Sequence, residues 1–490
     1  MKEESLRTLI DDLLLEQQQI SAVEKFSRYQ KQNYLPDTNV YRDLIPIGKP
    51  GQDEQYAFEV DLDVCSGCKA CVVACHSLNG LDDTETWRDV GNLIGTNTST
   101  QQTVTTACHH CADPACLNGC PTRAYDKDKD TGIVKHLDDQ CIGCRYCEMK
   151  CPYEVPKYNE RLGIVRKCDM CHGRISEGEA PACVQACPNE AIKIRIVSKQ
   201  EIDQNTGDDE TLVPGTFTST YTQPSTRYLN VKWDSEPSDN ENIEPAHAHW
   251  PLVWMLVLTQ AATGIFAADF LSRLQNPEIS IAGPVAGCVL FFSGLVCSVL
   301  HLGQPLKAWK AFLGWRTSWL SREIIVFGGV GGLAPCYVLA VALNLPGWMT
   351  GTTGGLLAIA GLTGIWTSVK VYSDTKRPFW STRLNLLRFF GTALSFGLLL
   401  TSPAMAAPVI ISLLGLEWFY ALSSSSKYRK VGKRLLGPLK RSLLLRQILG
   451  GLAILFLFSP WIAAALFLGS EIAGRSLFFR AVDEPKMPGV

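Results

Sequence analysis

The chain has 490 residues, too many for one ordinary hydrophobic core, so two or more domains are expected. Its formal net charge of −2 conceals two unlike halves: residues 1–248 carry 25 basic and 40 acidic side chains, whereas residues 249–490 carry 21 and 8. This asymmetry, with long apolar runs in the second half, excludes a single soluble globule. It predicts an acidic soluble domain followed by a membrane domain.

Residues 5–28 alternate Leu and Ile with acids at helical spacing, which predicts an amphipathic helix within an N-terminal extension over residues 1–57. This helix either docks on a partner or packs back onto its own domain. The opening MKEESLRTLIDD has acids where a targeting sequence has a positive region, and it lacks a twin-arginine leader. We therefore expect the front domain to stay in the cytoplasm, where thiols remain reduced.

Sixteen of the 19 cysteines fall within a region over residues 58–200 that also contains short strand-like runs. They form four groups in chain order: Cys65, Cys68, Cys71 and Cys75; Cys108, Cys111, Cys116 and Cys120; Cys141, Cys144, Cys147 and Cys151; and Cys168, Cys171, Cys183 and Cys187. The other three, Cys288, Cys297 and Cys336, lie in apolar stretches and are expected to be small packing residues.

The spacing within each group is typical of proteins that bind [4Fe–4S] clusters. Three thiolates wrap a loop around one cubane, and the fourth, which is followed by proline in all groups but the first, turns away to ligate the neighbouring cluster. Zinc is the alternative, but zinc sites favour two separated Cys-x2-Cys pairs. The pattern predicts an α+β, ferredoxin-like iron–sulfur domain.

Residues 201–248 are rich in Asp, Asn, Ser, Thr, Pro and Gly, which is typical of a linker, although the run TRYLNVKW could add one strand to the front domain. Apolar runs of helix length follow near 251–271, 281–302, 323–344, 352–371, 386–402, 404–421, 443–458 and 461–478. Several are marginally short for a bilayer, which takes about 20 residues. We expect an all-α membrane domain of about eight spans over residues 249–480, with six or seven as alternatives, and a tail over residues 481–490.

The loops between helices two and three, four and five, and six and seven carry many Lys and Arg, whereas those on the opposite face carry Arg273. Basic loops are retained on the cytoplasmic side. An even number of spans then places the front domain, the basic loops and the C-terminus in the cytoplasm. The acidic domain would lie over a basic membrane face, although the same loops could also contact anionic lipid.

The cysteine runs resemble the four-cluster electron-transfer subunit of the dimethyl sulfoxide reductase family of molybdoenzymes, over about residues 58–195. The matching runs are CSGCKACVVACH, CHHCADPACLNGCP, CIGCRYCEMKCPYEVP and KCDMCHGRISEGEAPACVQACP. In that family the first group pairs with the fourth and the second with the third. The resemblance implies four ligand sets: quartet 1, Cys65, Cys68, Cys71 and Cys187; quartet 2, Cys168, Cys171, Cys183 and Cys75; quartet 3, Cys108, Cys111, Cys116 and Cys151; quartet 4, Cys141, Cys144, Cys147 and Cys120. Some relatives replace the cysteine at the position of Cys144 and hold a three-iron cluster. This chain has Cys144, so four cubanes are expected here.

The second half resembles the menaquinol-oxidising anchor of the same family, through the runs HAHWPLVWML, HLGQPLKAW, SWLSREI, VYSDTKRPFW and EIAGRSLFF. In that family the two parts are separate chains, so this sequence resembles their fusion. The fusion and the N-terminal extension depart from the family pattern. The resemblance assigns the quinol proton to the His of HLGxP, which is His301, and implicates the Glu of the next helix, Glu323.

Buried charge points to the same two residues, because ionisable groups inside a bilayer cost several kcal/mol and tend to be functional. His301 ends the second predicted helix and Glu323 opens the third, although both could merely terminate helices near water. Glu471 and Arg475, one turn apart, are expected to form an internal ion pair. Asp269 and Glu417 are read as ordinary residues near helix ends.

His301 is also the one histidine inside a predicted span, so a bis-histidine haem is not expected. Together these features predict a subunit that oxidises menaquinol and passes electrons through four [4Fe–4S] clusters to a separate large molybdopterin subunit, in anaerobic respiration. The expected partners are that subunit, the quinone pool and membrane lipid, without nucleic acid.

Two alternatives to this reading stay open. The same relay could run in reverse, from a dehydrogenase or a sulfur-oxidising molybdoenzyme into quinone. The chain could also be a redox-coupled ion-translocating module, which the gathering of buried charges toward one face disfavours.

Overall fold

The computed structural model describes residues 44–46, 48–97, 99–207, 210–276 and 280–488. The amphipathic helix predicted over residues 5–28 lies outside them. Within the described ranges, small sheets and short helices form an N-terminal ferredoxin-like region, which we call the cluster domain. A helical membrane domain follows it, as the sequence predicts.

Strand β1 (Glu54–Asp61) is the centre of the main sheet in the cluster domain. It pairs antiparallel with β8 (Ile192–Ser198) and parallel with β9 (Arg227–Leu229). Its residues from Gln55 to Val60 are all buried, which fits the mostly apolar run YAFEV and a strand covered on both faces. The other strands form a second sheet and two hairpins: β2 (Asp89–Gly95), β3 (Gln101–Thr106) and β10 (Ser235–Pro237); β4 (Tyr125–Lys127) with β5 (Val134–His136); and β6 (Lys157–Asn159) with β7 (Ile164–Arg166).

Short helices carry many of the cysteines. They are α1 (Ala70–Asn79), α2 (Ala115–Gly119), α3 (Tyr146–Lys150), α4 (His172–Ser176), α5 (Ala182–Gln185) and α6 (Lys199–Gln204). Lys69 precedes α1 and Arg145 precedes α3, and both adopt the left-handed conformation, with φ of 61° and 59°. In the first and third groups, this turn redirects the backbone between the second and third cysteines, so that all three can face one centre.

The segment over residues 201–248 corrects the linker prediction. Strand β9 lies within the run TRYLNVKW, as the sequence suggested, and β10 adds a further strand, antiparallel to β2. Strand β10 is short and polar (Ser-Glu-Pro), so the backbone pairing that holds it leaves no hydrophobic pattern in the sequence. Residues 227–237 are thus part of the cluster domain, whereas Glu241 and Ala246 contact the membrane domain.

Helices form at all eight predicted membrane positions: α7 (Trp250–Gln275), α8 (Ala282–Leu300), α9 (Trp319–Ala342), α10 (Gly347–Ser373), α11 (Thr382–Thr401), α12 (Pro403–Ala421), α14 (Lys440–Leu455) and α15 (Pro460–Arg480). A short amphipathic helix, α13 (Arg429–Leu436), precedes α14. Within the described part of the chain, seven helices are long and apolar enough to cross a membrane. The exception is α14, because it has 16 residues and opens with Lys440 and Arg441.

Membrane-domain loops dock directly on the cluster domain. The Gln304 N–H donates to the Ile142 carbonyl at 3.0 Å, and the Gly314 N–H donates to the Pro121 carbonyl at 2.7 Å. The Ser318 hydroxyl donates to the Gly119 carbonyl at 2.7 Å. The two domains therefore share a hydrogen-bonded interface that fixes the cluster domain over one end of the helices.

The C-terminal tail reinforces this interface. The Met487 side chain is fully buried in the hydrophobic core of the cluster domain. Asp483 pairs with Arg434 at 3.3 Å, and Lys486 pairs with Asp239 at 2.8 Å. The tail thus runs from the last membrane helix onto the cluster domain and straps the two together.

Candidate functional site

Each of the four quartets gathers three cysteines from one group and one from another. Cys65 interacts electrostatically with Cys68, Cys71 and the distant Cys187, and these four also line one small cavity. Cys75 lies near Cys171 and Cys183, Cys151 near Cys111 and Cys116, and Cys120 near Cys141 and Cys144. The fold therefore brings together the sets that the family resemblance implied.

Backbone N–H groups point at the thiol sulfurs. The N–H of Ala124 donates to Cys120 Sγ at 3.2 Å, and that of Ala191 donates to Cys187 Sγ at 3.3 Å. The N–H of Gly143 and that of Met170 reach Cys141 Sγ and Cys168 Sγ, both at 3.4 Å. Such donors stabilise thiolate charge, which is what iron–sulfur ligands carry.

None of the four quartets, all of which lie in the described residues, forms a site for a single metal ion. Among the described residues, no three His, Cys, Asp or Glu side chains converge on the position of a single ion. A cubane has an iron at each of four corners and so needs its thiolates spread around a larger centre. The donor set, four thiols in each quartet with backbone N–H groups on several sulfurs, fits an iron–sulfur cluster.

The quartets form a row with buried side chains between them. Arg88 interacts with Cys71 of quartet 1 and Cys183 of quartet 2. Lys167 interacts with Cys108 of quartet 3 and Cys168 of quartet 2. Tyr125 lies between quartets 3 and 4, near Cys116 and Cys120. The row therefore runs in the order 1, 2, 3, 4, and quartet 4 is the one beside the membrane loops.

A cavity of about 280 Å³ lies between quartet 4 and the membrane helices. Cys144 lines one wall, and both residues of the predicted quinol site, His301 and Glu323, line another. The rest of the lining is predominantly apolar, with Leu252, Met255 and Phe327 among its members. A mostly apolar cavity with a few convergent polar groups is the usual form of a small-molecule site.

Glu323 and His301 are held differently within this cavity. Glu323 is 2% exposed and accepts a hydrogen bond from the Ser368 hydroxyl of α10. His301 follows the end of α8, and its Nε2 atom is buried without a hydrogen-bond partner among the described residues. A buried ring nitrogen that lacks a partner is available to a bound ligand.

Two tyrosines that the sequence did not single out also line the cavity. Tyr146, next to the quartet 4 ligand candidate Cys147, donates its hydroxyl to the Val371 carbonyl at 2.7 Å. Tyr372, one turn after Ser368 on α10, is 3% exposed. Tyr146 lies inside the third cysteine motif and Tyr372 inside the run VYSDTKRPFW. Neither position has a spacing that predicts a role in the cavity.

Three histidines form a line from the cavity to the surface. The His301 ring is 5.7 Å from that of His249, which is 4.8 Å from that of His247. His249 is buried, with Nδ1 unpartnered in the described ranges, whereas His247 is exposed. Sequence analysis did not single out His247 or His249. They lie about 50 residues before His301, so the contact between the His249 and His301 rings is not visible in the sequence.

Three glycines allow the His301 loop to approach quartet 4. A Cβ atom on Gly303 would lie 2.1 Å from the Gly163 carbonyl oxygen, and one on Gly143 would lie 2.3 Å from the same atom. Gly143 and Gly163 also have φ of 66° and 65°. The glycine of the HLGxP run is therefore a close-packing requirement of the domain interface.

A second group of buried charges lies among α11, α12, α14 and α15. Arg446 bridges Glu417 at 3.0 Å and Glu471 at 3.2 Å. Arg475 lies 3.5 Å from Glu471, which confirms the predicted ion pair. The reading of Glu417 as an ordinary residue was wrong, because the fold buries it against Arg446 from a helix distant in sequence.

The reading of Asp269 as an ordinary residue near a helix end was also wrong, because Asp269 is buried and has two partners. It is 7% exposed, pairs with Arg273 at 2.8 Å and accepts a hydrogen bond from the Tyr337 hydroxyl at 2.6 Å. Tyr337 lies on α9, so Asp269 ties α7 to that helix. Sequence spacing shows the Arg273 pair at one turn, but it does not show the contact with Tyr337.

Comparison with known proteins covers both domains. Residues 100–196 match the family model of a 4Fe–4S dicluster domain, and residues 244–426 match that of the DMSO reductase anchor subunit. The B subunit of the anaerobic dimethyl sulfoxide reductase of Haemophilus influenzae is 39% identical over 150 residues, which cover 28% of this chain and 73% of the relative. This protein belongs to the dimethyl sulfoxide reductase family.

Other relatives of this fused family member share the cluster domain. The B subunit of the Escherichia coli anaerobic dimethyl sulfoxide reductase is 40% identical over 148 residues, 28% of this chain and 72% of that protein. The iron–sulfur subunit of formate dehydrogenase-O from Escherichia coli is 36% identical over 162 residues, 28% of this chain and 52% of that protein. The chain is thus an iron–sulfur electron-transfer subunit of an oxidoreductase fused to a multi-pass membrane anchor.

Proposed function

We propose that the chain oxidises menaquinol in the cavity between the two domains and passes the electrons through four [4Fe–4S] clusters to a separate molybdenum-containing catalytic subunit. The observation that carries this proposal is that Cys144, His301 and Glu323 line the same cavity. A proton acceptor and an electron acceptor are then both adjacent to one bound molecule, which is what quinol oxidation requires.

The chemistry at this cavity releases two protons and two electrons from each quinol. The unpartnered Nε2 of His301 accepts a hydrogen bond from one quinol hydroxyl and takes its proton, as a general base within hydrogen-bond reach does. Glu323, held by Ser368, lines the same cavity and takes the second proton. Quartet 4, with Cys144 in the cavity wall, would hold the cluster that supplies the one-electron acceptor for this oxidation.

The proton needs a route from the cavity to water. His249 contacts His301, and the exposed His247 contacts His249. Imidazole rings can both accept and donate a proton, so this line of three rings connects the buried acceptor to the aqueous surface of the cluster side.

The electrons leave at the opposite end of the row. Quartet 1 is the farthest from the membrane loops, and its Cys68 is exposed. Two of the exposed apolar side chains of the cluster domain, Val64 and Val73, flank this group. An exposed cysteine with an apolar rim is a suitable docking surface for the catalytic partner, because it brings that partner's cofactor close to the last cluster.

The basic loops give the orientation. Lys307, Lys310 and Arg316 lie between α8 and α9, on the side that contacts the cluster domain. Since basic loops stay on the cytoplasmic side, the cluster domain lies in the cytoplasm and the chain spans the inner membrane. Lys150 of the cluster domain pairs with Asp374 of this face at 2.6 Å.

The test compares quinol with dithionite as the reductant of the purified complex. His301→Ala should slow menaquinol-driven reduction of the clusters by about a hundredfold or more, the usual contribution of a general base. Dithionite-driven reduction, iron content and acid-labile sulfide should be unchanged. The control His136→Ala removes a histidine of the cluster domain that faces Asp138 instead of the cavity. Normal quinol-driven reduction in His301→Ala would refute the site.

A further inference from the structure

We infer that the quinol enters the cavity sideways from the bilayer, through a mouth between α8 and α9 whose lips are Val299 and Gly328. Its isoprenoid tail then stays in this mouth while the ring is oxidised. This inference rests on the proposed function and adds to it the path of the substrate and the residues that select a prenylated quinol.

The exposure of the lining residues locates the mouth. The lining residues near quartet 4 and Glu323, including Cys144 and Tyr372, are buried or partly buried, as is Glu323 itself. Val299 is 46% exposed, and Gly328 is exposed as well. These two lie on neighbouring helices and are the cavity residues that reach the outer surface of the described bundle.

Gly328 leaves this opening wide because it has no side chain. A Cβ atom built on Gly328 meets no atom within 4 Å, so open space lies in front of it. On α9, Gly328 follows Glu323 by five residues, or about 7.5 Å along the helix. The Gly328 lip therefore lies deeper in the membrane than Glu323, whereas the Val299 lip, two residues before His301, lies near the level of the ring-binding residues.

The aqueous side of the cavity is closed. Ala308 and Ala311 of the short 3₁₀ helix Pro305–Phe312 line its roof. The same helix exposes Leu306, which is 94% exposed, and Trp309. Large apolar and aromatic side chains at this level are typical of the membrane interface. Because this helix covers the cavity at the level of the membrane interface, the substrate enters from the lipid side.

The outer surface around the mouth is equally apolar. Val296 and Leu300 on α8 and Ile325 on α9 are all more than 40% exposed, as expected of lipid-facing positions. A quinol that diffuses within the bilayer thus reaches Gly328 without crossing a polar surface. The polar ring enters first because His301 and Glu323 are the convergent polar groups at the inner end.

The test fills the mouth and uses two quinols. Gly328→Phe should raise the KM for a prenylated menaquinol at least tenfold, whereas the KM for a quinol without a tail should change less. Gly332→Phe is the matched control, since Gly332 is on the same helix, also faces open space and does not line the cavity. Equal KM values in the two variants would overturn the inference.

A second pair of variants guards against misfolding of the glycine variants. Val299→Trp narrows the other lip, and Val289→Trp places the same side chain on the same helix at a lipid-facing site away from the mouth and outside the cavity. The Val299 variant should show the same tail-dependent rise in KM, and its absence there would also overturn the inference.

His301→Ala, measured in parallel, separates the two proposals. If it abolishes quinol-driven reduction while the mouth variants behave like their controls, the entry path is wrong and the quinol site stands. If it reduces clusters normally, the quinol site itself fails.

Discussion

The ammonium group of Lys167 lies 3.5 Å from the sulfur of Cys108, in the interior of the cluster domain. It also donates to the carbonyl oxygens of Cys168 and Val134. Lys167 is 2% exposed, and no carboxylate of the described residues pairs with it. Burial lowers the pKa of this ammonium, but the sulfurs of Cys108, Cys116 and Cys168 outweigh that effect and raise it. The charge is thus balanced by the cysteines of two quartets.

Lys167→Met should lower the reduction potentials of the clusters held by quartets 2 and 3. A buried positive charge stabilises the reduced, more negative cluster, and its removal favours the oxidised form. Potentiometric titration followed by electron paramagnetic resonance measures these potentials. Lys167→Arg, which keeps the charge, should leave them closer to the original values. Unchanged potentials in the Met variant, with all clusters assembled, would contradict the electrostatic role.

Gly303→Ala should slow menaquinol-driven cluster reduction without changing iron content. Its Cβ would lie 2.1 Å from the Gly163 carbonyl oxygen and 2.6 Å from the Tyr158 hydroxyl, so the His301 loop must move away from quartet 4. Because positioning errors of about 1 Å can cost a hundredfold in rate, a large effect is expected. Stopped-flow absorbance measures it. Gly329→Ala, which adds a methyl group in open space on α9, should react at the normal rate.

His249→Phe should slow quinol-driven reduction and leave dithionite-driven reduction intact. Phenylalanine preserves the ring contact with Phe479, 5.5 Å away, but cannot carry a proton between His301 and His247. Stopped-flow reduction by menaquinol in H2O and D2O, with His136→Ala as the control, measures the effect. A rate and isotope effect equal to those of the unaltered protein would show that the proton leaves by another path.

The sequence was most informative where a motif carries local geometry. Cysteine spacing predicted the iron–sulfur domain, and the turns at Lys69 and Arg145 show why that spacing works. Long apolar runs predicted each membrane helix to within a few residues. Apolar runs alone do not give the number of spans, because α14 opens with two basic residues and has only 16 residues.

The parts that the sequence did not predict depend on contacts between distant residues. Ion pairs such as Glu417 with Arg446 join separate helices, and a single sequence does not show which helices are neighbours. The line from His301 to His247 has the same origin. Short polar strands such as β10 escaped prediction because main-chain hydrogen bonds hold them without an alternating apolar pattern.

The buried ion pairs of Arg446 should affect the stability of the membrane domain and not its redox chemistry. Arg446 is 2% exposed, and its removal leaves the carboxylates of Glu417 and Glu471 buried with less compensation. Breaking a buried pair in this way costs about 3–5 kcal/mol. Arg446→Met should therefore lower the free energy of unfolding by about that amount, measured as denaturant unfolding of the membrane domain in detergent.

The control for Arg446→Met is an exposed ion pair, Lys433 with Glu241. Lys433 and Glu241 are both largely exposed, so Lys433→Ala should cost about 1 kcal/mol or less. Glu417→Gln, which keeps the shape and removes one of the two carboxylates, should fall between them, because Arg446 still bridges Glu471. Equal stabilities of the Met and Lys433 variants would show that the buried charges are compensated in another way. Since Arg446 does not line the cavity proposed to bind quinol, the KM for menaquinol should stay unchanged in the folded fraction.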